Sequence, residues 1–160
     1  VSEFTDAMAQ LAGGVAVITV RDGRDDLGVT VSALVSVSLE PPLVLVSLAS
    51  GGYLNEVLLR QDRWACSLLS AGQAAMASRF AAAGRPGARH LVAGAPHHRG
   101  AHTGALVVEG GVAALEAETT QVVPAGDHTL FIATVLAIPY VTPTLQPLVR
   151  LRGRYRAVGG

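Results

Sequence analysis

The sequence predicts a mainly β domain, a small antiparallel barrel, closed or partly closed, with short flanking helices. Three observations lead there. Residues 28–39, GVTVSALVSVSL, place Val29, Val31, Ala33, Val35 and Val37 at odd positions and Thr30, Ser32, Ser36 and Ser38 at even ones, the two-residue period of a strand. Glu40-Pro41-Pro42 follows at once, a corner where proline cannot donate to a ladder. Strands open and close the chain with two short helices between them, without the strand–helix–strand alternation of a doubly wound sheet.

Taken in order, Ser2 caps a short helix through Leu11, with Phe4, Ala7, Met8 and Leu11 on one face and Gly13-Gly14 ending it. VAVITVR is a strand, DGRDD a turn, and residues 27–39 its hairpin partner. LVLVSL resumes as a buried strand after the corner. YLNEVLLRQ forms a helix with Leu54, Val57, Leu58 and Gln61 on one face, and RWACSLLS returns as a strand. AGQAAMASRFAAAG is helical and stops at Gly84. Residues 85–104, rich in Gly, Pro and His, form a long irregular excursion, a length that in compact domains serves function or mobility. Three strands follow at 105–120, broken at Gly110-Gly111, at 128–139 and at 148–158.

The 160 residues form one domain, 1–160, large enough for a substantial core. Twelve acids balance twelve bases, all of them arginine, so a nucleic-acid partner lacks the basic excess it needs. No window is apolar enough for a spanning helix, and the acidic beginning VSEFTDAMAQLAGG has no basic leader, so neither a membrane nor secretion is expected. The single Cys66 suits a reducing cytoplasm, and WACSLL reads as core rather than as a nucleophile.

Phosphate-binding Gly-Lys-Ser/Thr loops, strand-linked GxGxxG and GxSxG elbows are all missing. His90, His97, His98 and His102 crowd one loop without the spacing or cysteine partners of a zinc site, so no metal is expected. PAGDHTLFIATVLA says more. His128 opens a strand at a barrel rim, and Asp127 beside it can orient the ring. The hydroxyl row carries no charge between Gly28 and Glu40, which is unusual for a solvent face. Burying those hydroxyls unpartnered would cost roughly 1–3 kcal/mol each, so whatever covers them should offer donors and acceptors.

GGVAVITVRDG, GVTVSALVSVSLEPPLVLVSL, MASRFAAAG, PAGDHTLFIATVLA and RLRGRYR, in this order over residues 4–158, resemble the short-chain flavin reductases of two-component monooxygenase systems, which have the FMN-binding split β-barrel fold. The resemblance implies a flavin, FMN or FAD, beside Thr30, Val31, Ser32 and Ala33, with Ser36 and Ser38 nearer the sugar or serving the strand pairing. Ser47, Leu48, Ala49 and Ser50 would form the next wall with Tyr53, and Ser78, Arg79 and Phe80 would receive the phosphate. His128 would place NADH, or NADPH, against the flavin, with Tyr155 packed nearby. Two departures, ASGGY at 49–53 and LVRLRGRYR at 148–156, fall on the ribityl-phosphate and nicotinamide contacts. A homodimer is implied, with reduced flavin passing to a flavin-dependent monooxygenase. A flavoprotein that retains its flavin and acts on another small molecule, or a flavin carrier or sensor without catalysis, are the alternatives.

Overall fold

The computed structural model describes residues 2–159. Helix α1 (Ser2–Met8) and the short strand β1 (Gly13–Gly14) precede two hairpins, β2 (Ala16–Asp22) with β3 (Asp25–Val31) and β4 (Leu34–Leu39) with β5 (Pro42–Ala49). Next come α2 (Tyr53–Arg60), β6 (Arg63–Leu68), a single 3-10 turn (Ala71–Gln73), α3 (Ala74–Ala81) and α4 (Ala88–Leu91). Short strands β7 (His97–Arg99) and β8 (Leu106–Val108) lead to the long hairpin β9 (Ala113–Ala125) and β10 (His128–Val141), and the chain closes with β11 (Leu148–Leu151) and β12 (Arg154–Ala157).

Seven strands form one antiparallel sheet in the order β3-β2-β6-β9-β10-β5-β4; β1-β11-β12 and β7-β8 form two smaller ones. The edge strands β3 and β4 are consecutive in the chain, joined by Ser32 and Ala33 alone. Laid flat, seven strands would hold those edges about 29 Å apart, at about 4.8 Å per step. Three residue steps span at most about 11 Å. The sheet therefore curls until its edges converge at residues 31–34. No ladder joins β3 to β4 among the described residues; near the junction the Ser47 N–H donates to the Ala33 carbonyl at 3.1 Å.

Curling gives the sheet two differently filled faces. Ile18, Val46, Trp64 and Phe131 meet Leu54, Val57 and Leu58 of α2 on one face. Val15, Val17, Phe80, Leu91 and Leu106 form a second core under α3 and α4 on the other. In β3 the odd positions Leu27, Val29 and Val31 enter the first core. Its even positions meet α3: a Cβ on Gly28 would lie 2.5 Å from Phe80 Cε1, and the Thr30 hydroxyl donates to the Ala77 carbonyl at 2.6 Å.

The structure corrects several sequence expectations. Residues 27–39 are not one strand, because the chain crosses from one sheet edge to the other at Ser32-Ala33. The first helix ends at Met8 rather than Leu11, and its apolar side faces outward, with Phe4 68% and Leu11 71% exposed. Residues 85–104 are not wholly irregular: Leu91 and Val92 anchor α4 in the second core. Arg99 of β7 grips the buried Asp26 carboxylate through both guanidinium nitrogens, at 2.8 and 3.1 Å. Residues 148–158 are a hairpin, turned by Arg152 (φ 51°) and Gly153 (φ 72°), and two consecutive positive φ values suit a tight reversal. Cys66 is fully buried, and burial pushes its thiol up to about 12, which fits the core reading.

Candidate functional site

A groove follows the unpaired edge of β3. Its middle is a cleft of about 420 Å³ between Leu27, Gly28 and Val29 of that edge, the end of β5, the first turn of α2 and the loop at residues 84–87. At one end it adjoins a cleft of about 210 Å³ lined by Thr30, Val31, Ser32, Ala81, Arg150 and Tyr155. At the other lies a charged pocket of about 270 Å³ with Arg24, Asp25, Arg89 and His90, which shares Leu27, Tyr53 and Gly87 with the middle cleft.

Local chemistry opens the middle cleft. Arg85 Nε donates to the Gly28 carbonyl at 2.8 Å, so the loop after α3 takes up one of the edge groups that a further strand would have bonded. Burial holds the Arg85 guanidinium below its ordinary value. Gly84 (φ 68°) turns the loop, and Gly87 lets it approach: a Cβ there would stand 3.0 Å from the Asp26 carbonyl. Across the cleft Asn55 is only 6% exposed. Its Oδ1 is the sole buried side-chain nitrogen or oxygen among the described residues without a hydrogen-bond partner. Leaving such a group unmet costs about 1–3 kcal/mol, and unmet buried groups in native folds concentrate where a ligand or water completes them.

In the smaller cleft the Arg150 guanidinium stacks on Tyr155, its Cζ 4.7 Å from the ring centroid. Tyr155 is half-buried, Ser32 is exposed, and Val31 is buried at the floor. Thr30, Val31 and Ser32 thus line one cleft, and with them stands Tyr155, which the resemblance put beside His128 on the nicotinamide side. Leu48, Ala49 and Tyr53 line the middle cleft.

His128 itself lines none of the three clefts but is the ladder partner of Ala49 of β5, which lines the middle one. Its Nδ1 lies 2.8 Å from Asp127 Oδ1. This contact holds the Asp127 carboxyl below its ordinary value, so the carboxylate accepts and Nδ1 carries the hydrogen. Nε2 then points away from Asp127 with its own hydrogen-bonding capacity intact. Ser50, next to Ala49, ties this rim together: its N–H donates to the Asp127 carbonyl at 2.9 Å, and its hydroxyl bonds the Thr129 hydroxyl at 2.9 Å.

Other sequence candidates lie elsewhere. Ser47 is half-buried on β5 and bonds Ala33 through its backbone, while Ala33 and Ser36 are exposed near the junction and on β4. Phe80 is fully buried in the second core. Ser78 and Arg79 are exposed on α3 and line none of the three clefts. The loop histidines disperse: His98 Nδ1 lies 3.6 Å from Glu109, and His102 Nδ1 3.2 Å from Glu116. Sequence reasoning missed Asn55, Arg85 and Arg150. For Asn55 the signal was present, a lone amide on the buried stripe of an otherwise apolar helix; Arg85 and Arg150 become recognisable only once the loop and the terminal hairpin are folded against β3.

The model of the flavin reductase like domain matches residues 8–159. The chain belongs to this family. The NADH-dependent FMN reductase AsuE2 of Streptomyces nodosus subsp. asukaensis is 39% identical over 157 residues, 96% of this chain and 83% of that protein. The reductase component of 4-hydroxyphenylacetate 3-monooxygenase from Thermus thermophilus is 34% identical over 153 residues, 96% of this chain and 93% of its own. Among solved structures, the NADH:FAD oxidoreductase SgcE6 of Streptomyces globisporus superposes with a TM-score of 0.91 at 29% identity, covering 99% of this chain and 93% of that one. The groove is thus carried on a flavin reductase-like scaffold, and its donors and acceptors can be weighed against a flavin.

Proposed function

We propose that the chain is an NADH-dependent flavin reductase of a two-component monooxygenase system, that its curled sheet is a split barrel, and that it works as a homodimer. The observation that carries the reading is the run of clefts along the β3 edge, lined by consecutive residues 27–32. They pair apolar walls with few polar groups, of which Asn55 Oδ1 is unmet among the described residues. Relatives named as NADH-dependent FMN or FAD reductases over most of their length support the chemistry.

A bound flavin supplies a ring that accepts a hydride from reduced nicotinamide. This chain's residues bind, orient and exclude water. Thr30, Val31 and Ser32 would present strand backbone and a hydroxyl to a bound flavin ring, and Tyr155 with Arg150 would close that end. His128, held by Asp127, would offer Nε2 to the carboxamide of a nicotinamide bound near Ala49. No strong acid or base is required, which suits a cleft whose walls are mostly aliphatic. Release of reduced flavin to an oxygenase limits how tightly the groove may hold it, since about 1.4 kcal/mol of added affinity slows release tenfold at constant association rate.

The homodimer reading draws on β4. This edge strand leaves Val35 54%, Val37 47% and Leu39 89% exposed, an apolar row that a second copy would cover.

Anaerobic stopped-flow mixing with NADH and excess free flavin tests the function. Turnover of the free flavin pool is expected; a single bleaching event would instead mark a retained cofactor, and no bleaching a carrier. His128→Ala should lower the reduction rate by about tenfold, the scale of one lost positioning hydrogen bond, while changing flavin affinity less than twofold. Equal reduction rates in both proteins would remove His128 from the mechanism.

A further inference from the structure

Three of the four buried residues of α2, Leu54, Val57 and Leu58, complete the first core. The fourth is Asn55, set in the wall of the middle cleft with Oδ1 unbonded. A terminal amide carries an acceptor at one end and two donors at the other, so turning it over exchanges one unmet need for another. Nothing among the described residues meets that need. Asn55 borders the cleft, and a group there that meets Oδ1 must donate, while one that also meets the NH2 end must accept. A phosphate or carboxylate can only accept and would leave the carbonyl oxygen unmet; alkyl and ring faces offer neither. A hydroxyl does both, and two neighbouring hydroxyls satisfy the whole amide in either orientation.

The cleft's position agrees. It flanks residues 27–29, one step along β3 from the pocket of Thr30, Val31 and Ser32, and Arg85 stands across it with a guanidinium suited to an anion further along. A ring seated beside Thr30–Ser32 would send its side chain through this cleft toward Arg85. Building on the flavin reading, we infer that Asn55 recognises the ribityl chain: its amide accepts from one chain hydroxyl and donates to another, the polyol shared by riboflavin, FMN and FAD.

Binding of three flavins to the protein without NADH, followed by quenching of flavin fluorescence, tests this. Lumiflavin has the ring alone, riboflavin adds the ribityl chain, and FMN adds the phosphate. The natural chain should bind riboflavin more tightly than lumiflavin. In Asn55→Leu that advantage should fall about tenfold, the equivalent of about 1.4 kcal/mol, while the further gain from riboflavin to FMN is retained. The ligand-free variant should melt no lower than the natural chain, because an unmet buried amide has been replaced by an apolar group of similar size. Should leucine crowd the helix and lower the melting temperature, Asn55→Ala removes the same amide without added bulk and takes the same binding comparison. An unchanged riboflavin-to-lumiflavin ratio in a folded variant overturns the inference and leaves the flavin site standing. Failure of the natural chain to bind any of the three flavins overturns the flavin reading, and this inference with it.

Discussion

Strands β3 and β4 both alternate aliphatic side chains with other groups, Asp26, Gly28 and Thr30 in β3 and Ser36 and Ser38 in β4, and are separated by two residues, yet they meet opposite environments. In β3 both faces are covered by the chain itself: Leu27, Val29 and Val31 enter one core, while Gly28 and Thr30 lie under α3. In β4 the odd positions Val35, Val37 and Leu39 are exposed, and only Leu34 and Ser38 are even half-buried. The difference teaches that an alternating pattern specifies a strand with two unlike faces but does not say what covers them. For β3 the cover is intramolecular. On β4 the described residues leave the odd positions open.

The largest expected effect breaks the cover on β3. Phe80→Ala removes the side chain that fills the space of the absent Gly28 Cβ and should destabilise the domain by about 3–5 kcal/mol, seen as a lowered denaturant midpoint. A loss under about 1 kcal/mol would mean that α3 does not hold this face.

On β4 the corresponding change, Val35→Glu with Val37→Glu, should leave the monomer's melting temperature nearly unaltered, as exposed substitutions do. It should weaken dimerisation at least a hundredfold, about 2.7 kcal/mol, in sedimentation experiments across a concentration series. A dimer of unchanged affinity would place the interface elsewhere.

A third test concerns a polar group buried as completely as β3's valines. Burial pushes the Glu116 carboxyl up, but hydrogen bonds from the Thr103 hydroxyl, the Thr103 and His102 N–H groups and the His102 ring outweigh it and hold the carboxyl below its ordinary value. A group depressed in the folded state contributes fully above its unfolded value, and loses that contribution as pH falls through the folded one. Stability should therefore drop below about pH 4 in the natural chain. Glu116→Gln should lack this component of the acid sensitivity and be about 1.5–3 kcal/mol less stable at neutral pH, as read from melts at both pH values. Parallel pH profiles would show that the carboxylate does not anchor the loop at residues 100–104.

The smallest effect sharpens the reading of the hydroxyl row. Thr30→Val keeps the shape and removes the bond to the Ala77 carbonyl, which should cost about 1 kcal/mol in denaturant unfolding. No loss would mean that the hydroxyl does not serve the contact between β3 and α3.

Much of the molecule was legible in advance because local chemistry forces it. Period-two alternation, the Glu40-Pro41-Pro42 corner, the apolar stripe of α2 and the strand after Gly126-Asp127 all stand where the sequence placed them. The terminal hairpin was not legible, since an arginine at positive φ carries no sequence signature of a tight turn. Nor was the order within residues 85–104, which is held by Asp26 and the second core, partners distant along the chain. Leu48, Ala49 and Tyr53 line one cleft and Thr30, Val31 and Ser32 another, where Tyr155 joins them instead of His128, whereas Arg79 lies outside both and Asn55, Arg85 and Arg150 enter them.

By itself the sequence determined the element types, the antiparallel class, the absence of a phosphate-loop nucleotide fold and a resemblance strong enough to name a chemistry, because these depend on neighbours within a few residues. Only the tertiary structure decided that one continuous alternation would split across two edges of a curled sheet, one sealed by α3 and one left open. It likewise decided that an asparagine on a buried helical stripe would border a cleft rather than a partner. Both depend on which distant surface arrives to cover a side chain, and that is set by the global closure of the sheet rather than by any local pattern.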